Sequence, residues 1–107
     1  MTIARTWRGW TTPANADAYE EFLKHHLSPQ LRALEGHRGL QVLRRDHPDE
    51  TEFLVINYFE SIEAVKRFAG ENYTVAVFEP EARRLLSRVE AEAAHYEVRF
   101  EARGASA

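Results

Sequence analysis

The chain has 107 residues, of which 44% are hydrophobic and 29% are charged, and its 14 basic and 17 acidic side chains give a formal net charge of −3. These values indicate one mildly acidic globular domain, long enough to bury a hydrophobic core without metal or disulfide support. The sequence contains no cysteine, which excludes thiol nucleophiles, thiolate metal sites and disulfides and favours a reducing cytoplasm.

Neither a membrane nor a nucleic acid is an expected partner. The longest apolar runs, residues 53–56 and 75–78, are far shorter than the roughly 18 to 20 residues of a membrane-spanning helix. The first residues lack the apolar core of a secretory signal. Basic residues occur as scattered pairs among acidic ones and form no stripe that would bind a phosphate backbone. We therefore expect a cytoplasmic protein.

The first predicted elements are a strand and a helix. Residues 3–10 are rich in β-branched and aromatic side chains, which predicts a strand that ends before Pro13. Thr12 is a candidate N-cap, with Pro13 in the first helical turn. Apolar residues then recur at helical spacing over residues 14–34. Pro29 is expected to break or kink this helix, because it lacks a backbone donor.

A β-hairpin is predicted next. Gly36 is expected to stop the helix, and residues 37–47 and 51–59 are predicted to form two strands joined by a short polar turn. Both alternating faces of residues 53–59 are largely apolar, so we expect both faces of that strand to be covered. A chain of this length has enough helix to cover only one of the two faces. A second copy of the protein is therefore the expected cover of the other.

A short helix is predicted after the hairpin. Ser61 is expected to cap it and Gly70 to end it. Residues 71–77 and 81–88 are predicted to form further helical pieces, interrupted by Pro80.

The last predicted element is a strand within residues 89–100, since apolar residues alternate near its end. The resulting order βαββαβ indicates an α+β domain of the ferredoxin-like type, with a four-stranded antiparallel sheet and helices on one face. We expect a single domain over residues 1–100, followed by a loose tail over residues 101–107.

The five histidines, at positions 25, 26, 37, 47 and 95, do not predict a metal site. Two helical ligands must be three or four residues apart to face one ion, whereas the adjacent His25 and His26 point about 100° apart. Convergence of His37 or His95 from separate strands is the alternative that the sequence leaves open. We expect no protein-held metal.

His26 and Asn57 are the candidate catalytic residues. His26 lies in the apolar stripe of the predicted helix, so it is either a core histidine satisfied by a carbonyl or a general base in a pocket. Asn57 interrupts an apolar strand, and a buried amide without a partner costs about 1 to 3 kcal/mol. Its partner is either another protein group or a ligand, and the sequence leaves both open.

A pocket is expected between the helices and the sheet. Trp7 either packs in the core or forms a wall of that pocket. The side chains predicted to line it are Arg5, Trp7, Tyr19, Phe22, Phe59, Phe68 and Tyr73. The sequence contains no nucleophile elbow and no phosphate-binding glycine loop, which disfavours acyl, phosphoryl and dinucleotide chemistry.

Four segments carry a resemblance to a known family. Residues 31–40, Leu-Arg-Ala-Leu-Glu-Gly-His-Arg-Gly-Leu, are similar to a leucine-x-x-x-proline-glycine-aromatic-x-glycine stretch between the first helix and the second strand. Residues 42–44, 59–64 and 95–98 are also similar. Together with the element order, these segments resemble the antibiotic biosynthesis monooxygenase family of dimeric α+β barrels over residues 3–100.

The resemblance implies a homodimer that pairs through its open sheet face, with a pocket for a small hydrophobic or aromatic ligand. Some members oxidise phenolic polyketides with molecular oxygen and no cofactor, so it also implies a monooxygenase with no bound cofactor. In that role His26 would take the phenolic proton and Asn57 would hydrogen-bond the developing oxyanion. The alternative is a non-catalytic ligand-binding or stress-associated dimer, because a fold does not decide function.

A haem-degrading branch of the same family relies on three residues. These are an asparagine on the first strand, a tryptophan at the end of the third strand and a histidine in the second helical region. The corresponding positions here hold Trp7, Phe59 and either Val77 or Phe78. Haem degradation by that route is therefore not expected.

Overall fold

The structure, a computed structural model, describes residues 1–106 as an α+β fold built on one antiparallel sheet. The strands are β1 (Ile3–Thr11), β2 (His37–Asp46), β3 (Thr51–Phe59), β4 (Leu86–Val89) and β5 (Ala94–Glu97). The helices are α1 (Ala16–Phe22), α2 (Ser28–Arg32), α3 (Ile62–Ala69) and α4 (Pro80–Leu85). The predicted ferredoxin-like α+β fold is confirmed. None of the described helices is long and apolar enough to span a membrane.

The sheet has five strands, one more than predicted. β1 pairs with β3 along its whole length, while its other edge is shared between β4 and β5. The predicted last strand is thus interrupted between Val89 and Ala94. At the interruption the Glu90 carbonyl accepts a hydrogen bond from the Trp7 indole over 2.7 Å, so a side chain takes up a backbone group that a continuous strand would pair.

The predicted first helix is divided by a π-helical segment, Leu23–Leu27, between α1 and α2. Pro29 has no N–H to donate, and the backbone N–H of Ser28 bonds to the carbonyl of Leu23, five residues earlier. The helical turn before Pro29 therefore contains about one extra residue, and the backbone stays helical on both sides of Pro29. At the start, Thr12 caps the chain, because its hydroxyl accepts from the backbone N–H of Asn15 over 3.3 Å.

The predicted stop and start signals are present. Ser61 caps α3, because its hydroxyl accepts from the backbone N–H of Ala64 over 3.1 Å. Gly36 and Gly70 have φ angles of 90° and 85°, values that residues with a Cβ rarely adopt. The turn between β2 and β3 also lies where the sequence predicts it.

The helix predicted for residues 71–77 is wrong. The backbone there pairs instead with the segment between β4 and β5: Ala76 donates to Ala91 over 3.0 Å, and Ala93 donates to Thr74 over 2.8 Å. We call residues 70–79 the cover loop. The helix predicted over residues 81–88 is also too long, because Leu86 leaves it to pair with β1.

The core lies under the helices in two clusters. Alternate residues of β3, from Thr51 to Phe59, are buried on the helix side, and the residues between them are half-exposed on the other face. The larger cluster joins α1, α4 and β3, and the smaller one joins β1, β3 and α3. Residues 101–106 form no helix or strand, and Ala107, the end of the predicted tail, lies outside the described residues.

Gly9 allows the indole of Trp7 to pack across β1. A Cβ at this position would lie 2.7 Å from Cη2 of Trp7 and 2.9 Å from Cδ2 of Leu86. We expect Gly9→Ala to destabilise the fold by about 1 to 3 kcal/mol, because it overpacks the core. Gly39→Ala is the matched control, since a Cβ there meets nothing closer than 3.9 Å. Equal urea midpoints for the two variants would contradict the expectation.

Candidate functional site

A cavity of about 330 Å³ lies between the helix layer and the sheet and opens to solvent. Its walls are mostly apolar, as is usual for a small-molecule site. The apolar lining consists of Trp7, Tyr19, Phe22, Leu23, Leu27, Leu31, Leu34, Val55, Phe68, Val77, Phe78 and Ala82. The polar lining consists of Arg5, Gln30, Asn57, Arg67 and Glu79.

The structure brings most of the predicted site residues to this cavity. Those that line it are Arg5, Trp7, Tyr19, Phe22, Asn57 and Phe68. Alternation along β1 and β3 puts the sheet residues on the helix side, and helical spacing puts Tyr19 and Phe22 opposite them.

Three predicted site residues lie elsewhere. Phe59 is fully buried in the smaller core cluster, packed on Phe68 with ring centres 6.2 Å apart. Tyr73 packs on that cluster from the cover loop, and its backbone carbonyl accepts from Arg5. His26 is half-exposed and is not among the lining residues.

Glu79 and Arg67 also line the cavity, although neither is among the residues predicted from the sequence. Glu79 is the last residue of the cover loop, which the sequence predicts to be helical up to residue 77. The apolar run over residues 75–78, ended by a carboxylate and Pro80, is the signal that could have indicated a loop over a pocket. Arg67, on α3, belongs to one of the scattered basic pairs, and its position in the sequence gives no signal of a site.

Arg5 is the most buried charge in the site, with 4% of its surface exposed. Its guanidinium donates to the backbone carbonyl of Tyr73, to the carbonyl of Val75 over 3.3 Å and to Nε2 of His95 over 2.9 Å. Phe68 lies under it, 5.5 Å from the ring centre. Burial lowers the pKa of Arg5 from its ordinary value, but a guanidinium stays charged in proteins.

Asn57 lies opposite Arg5 in the register of β1 and β3 and is 6% exposed. Its Oδ1 lies 2.9 Å from Nε2 of His37. Because an amide oxygen can only accept, His37 carries its proton on Nε2. The Asn57 amide oxygen is thereby occupied, and its NH2 group keeps its donors for another acceptor.

Glu79 and His26 form a hydrogen-bonded pair, of which Glu79 lines the cavity. Oε2 of Glu79 lies 2.7 Å from Nε2 of His26, and the imidazole stacks on Phe22 with centres 4.9 Å apart. Gln30 approaches the same imidazole nitrogen at 3.4 Å. Glu79 is the member of the pair that lines the cavity, so a ligand there meets a carboxylate before it meets the imidazole.

Tyr19 contributes a neutral wall. Its ring is 2% exposed and meets Phe53 edge-on, with centres 4.9 Å apart. Burial raises the pKa of the Tyr19 hydroxyl well above its usual range, so this group is not ionised at neutral pH and is a poor candidate for a base.

His95 couples the site to pH. Arg5 can only donate, so Nε2 of His95 must accept, and burial together with the neighbouring guanidinium lowers the pKa of His95. Because its pKa is lower in the folded protein, His95 binds fewer protons there than in the unfolded chain. Its contribution to the free energy of unfolding is therefore complete above about pH 6.5 and is lost as the pH falls through the folded pKa.

We therefore expect acidification below about pH 6.5 to destabilise the protein. In His95→Gln, whose amide oxygen can still accept from Arg5, part of this loss should disappear. Urea denaturation of both proteins at several pH values tests this. Identical pH profiles would show that His95 is not responsible.

The donors around the cavity do not fit a haem iron. None of the described lining residues is a histidine, cysteine or methionine, and these are common axial ligands. A tyrosinate can also bind haem iron, but burial keeps the Tyr19 hydroxyl protonated. Nor do residues 1–106 contain a group of three or more histidine, aspartate or glutamate side chains that could hold a metal ion.

Comparison with known proteins gives one family and several similar folds. The family model described as antibiotic biosynthesis monooxygenase matches residues 3–80. No curated protein sequence matches the chain.

Three solved structures illustrate the likeness. A protein of unknown function from Nitrosomonas europaea has 21% identity and a TM-score of 0.69, covering 97% of this chain and 95% of its own. SnoaB, a cofactor-independent oxygenase from Streptomyces nogalater, has 18% identity and a TM-score of 0.66, and the match covers 94% of this chain and 95% of SnoaB. The haem degrader MhuD from Mycobacterium tuberculosis, with two haems bound, has 20% identity and a TM-score of 0.60, and the match covers 94% of this chain and 98% of MhuD. At these identities the likeness shows the fold alone.

Proposed function

The chain belongs to the antibiotic biosynthesis monooxygenase family, and from that membership we propose that it oxidises a small aromatic or polyketide-like phenol with molecular oxygen and without a bound cofactor. The observation that carries the proposal is that the carboxylate of Glu79 and the free NH2 group of Asn57 line the same largely apolar cavity. A phenol needs a base for its proton and a donor for its oxyanion, and an apolar surrounding strengthens both interactions.

The reaction begins with deprotonation. Glu79 accepts the phenolic proton, and the amide NH2 of Asn57 donates to the phenolate oxygen. The phenolate transfers one electron to dioxygen, and the resulting superoxide and phenoxyl radical combine at a ring carbon. After protonation, the hydroperoxide loses the hydrogen of that carbon as a proton while its O–O bond breaks. One dioxygen is consumed, and one quinone and one water are formed.

Two histidines act as positioning residues in this proposal. His26 donates its Nε2–H to Glu79 and so fixes the carboxylate at the cavity wall. His37 does the same for Asn57 by holding its amide oxygen, which turns the NH2 group toward a ligand. The proton acceptor proposed here is therefore Glu79, where the sequence suggested His26.

The proposal is tested by oxygen uptake with a panel of naphthols and anthrols, combined with quinone detection by absorbance. We expect one mole of dioxygen consumed per mole of quinone, without added metal, flavin or haem. A phenol that binds in calorimetry but is not oxidised would instead indicate a non-catalytic ligand-binding protein.

We also propose a homodimer that pairs through the open sheet face. That face carries Leu54, Ile56 and Tyr58 of β3 half-exposed, with Leu43 45% and Tyr96 59% exposed beside them. These apolar side chains, flanked at one end of the face by the ion pairs of Glu52 with Arg8 and Arg45, fit the apolar centre and polar rim of an interface between copies. We propose the reducing cytoplasm as its compartment, because the chain lacks cysteine.

We expect Leu54→Arg to convert the dimer into a monomer, because the variant places a charge in the centre of this face. Glu63→Arg, at an exposed position on α3, is the control with the same new side chain. Sedimentation velocity distinguishes the two states. A dimer that survives Leu54→Arg would place the interface elsewhere.

A further inference from the structure

Arg5 is a charge that the proposed reaction does not use. It is buried and lines the cavity, yet its acceptors are two backbone carbonyls and the neutral imidazole of His95. Among residues 1–106 no carboxylate forms a salt bridge with it. Buried charges in proteins are normally paired, because removing an ion from water is energetically costly. Neutral acceptors offset part of that cost and leave the positive charge uncompensated.

The guanidinium also has unused donors. A guanidinium carries five N–H hydrogens. Nη1 of Arg5 uses its hydrogens on Tyr73 and His95, and Nη2 uses one on Val75. The Nε–H and the second Nη2 hydrogen have no acceptor in the described chain. Nε and Nη2 form one edge of the planar group, and such an edge matches the two oxygens of a carboxylate.

Arg5 and Asn57 lie next to each other on the helix side of the sheet, because they are opposite in the register of β1 and β3. Arg5 is held from β5, by His95, and from the cover loop. Asn57 is held from β2, by His37, and Glu79 is held from the π-helical segment, by His26. All three groups line the same cavity, so one ligand can place a carboxylate on Arg5 and a hydroxyl beside Asn57 and Glu79.

We propose that the cavity takes an aromatic carboxylate, with the two carboxylate oxygens on the Nε/Nη2 edge of Arg5 and the ring against Trp7 and Phe22. The proposal deepens the proposed function and rests on it for the hydroxyl at Asn57 and Glu79, which makes the substrate a hydroxyaryl carboxylic acid. A phenol alone is neutral at neutral pH and would leave Arg5 uncompensated. Arg67 adds a second positive charge to the lining, where it donates to the carbonyl of Glu35 over 3.2 Å, and favours entry of an anion.

The first test needs no variant. Isothermal titration calorimetry at pH 7 compares naphthoic acid with naphthamide, which has the same shape and no charge. We expect the acid to bind about ten-fold or more tightly than the amide, because a charge-assisted pair replaces a neutral hydrogen bond. Equal affinities would overturn the proposal. Naphthol that binds as tightly as naphthoic acid would assign the anion site to a phenolate and also overturn it.

Variants then test whether Arg5 causes the tighter binding of the acid. In Arg5→Gln the acid should lose its advantage, while the affinity for naphthamide stays within about two-fold, since the amide side chain keeps a donor and removes only the charge. Arg84→Gln, at an exposed position of α4 that does not line the cavity, is the control, and there the preference for the acid should persist. An acid preference that survives Arg5→Gln overturns the assignment. If Arg5→Gln does not fold, Arg5→Lys takes its place, and a weaker acid preference is expected because lysine lacks the planar edge.

Oxygen uptake with hydroxynaphthoic acid separates this inference from the proposed function. An acid preference that requires Arg5, without oxygen uptake, supports the carboxylate site and rejects the monooxygenase. Oxidation of phenols without any acid preference supports the monooxygenase and rejects the carboxylate site.

Discussion

Replacement of Glu79 by glutamine is expected to lower the rate of quinone formation by about 100-fold or more, because general bases contribute on the order of 100- to 10,000-fold. Glutamine keeps the size of the side chain and can still accept from His26 through its amide oxygen, so the cavity should keep its shape. Oxygen uptake under saturating phenol measures the effect on kcat. Since only the proton acceptor is removed, KM should change little.

Glu81→Gln is the matched control for this experiment. Glu81 lies two residues further along, in the first turn of α4, and is exposed to solvent. Its substitution removes the same charge from the same helix start and should leave turnover unchanged. Equal losses in both variants would show that the net charge, and not the base, is responsible. An unchanged rate in Glu79→Gln would remove Glu79 from the mechanism.

Replacement of Asn57 by leucine is the second large effect that we expect. The variant keeps a similar volume and loses the amide donor to the phenolate, which should lower kcat by about 100- to 1,000-fold, the range measured for the removal of an oxyanion donor. The fold should tolerate the change, because leucine has a similar volume and the half-exposed His37 can turn to water. Turnover and urea midpoints are measured on the same preparation.

Asn72→Leu serves as the control, because Asn72 is an exposed residue of the cover loop and does not line the cavity. A non-catalytic ligand-binding protein would show no turnover in any of these proteins and normal stability in Asn57→Leu. A large loss of stability in Asn57→Leu would instead show that the bond to His37 is structural.

The rates of these variants are compared near neutral pH, because acidification removes folded protein through His95.

Local signals account for much of the fold. The alternation along β3, the cap at Ser61 and the glycines at positions 36 and 70 each act within a few residues, and the structure has all of them where the sequence predicts them. The main error concerns the cover loop. Its β-branched and aromatic residues favour an extended backbone over a helix. That backbone pairs with residues 91–93, some 15 to 20 residues later, and such distant pairings leave no local pattern.

The candidate site was likewise predictable only in its local features. Period-two alternation along the sheet was enough to place Arg5, Trp7 and Asn57 on one face, because a strand sends alternate side chains to opposite sides. It was not enough to say what each of them contacts. The partners of Arg5 and His26 stand 53 to 90 positions away in the chain.

The sequence by itself thus determined the order of the elements through α3, the family resemblance and the face of the sheet on which a site would lie, since these follow from short-range geometry and hydrophobic periodicity. Only the tertiary structure decided that Glu79 and not His26 lines the cavity, that β4 and β5 share one edge of β1, and that Arg5 is buried without a carboxylate. Those features depend on which distant segments pack together, and packing is decided by the shape and charge of the whole chain.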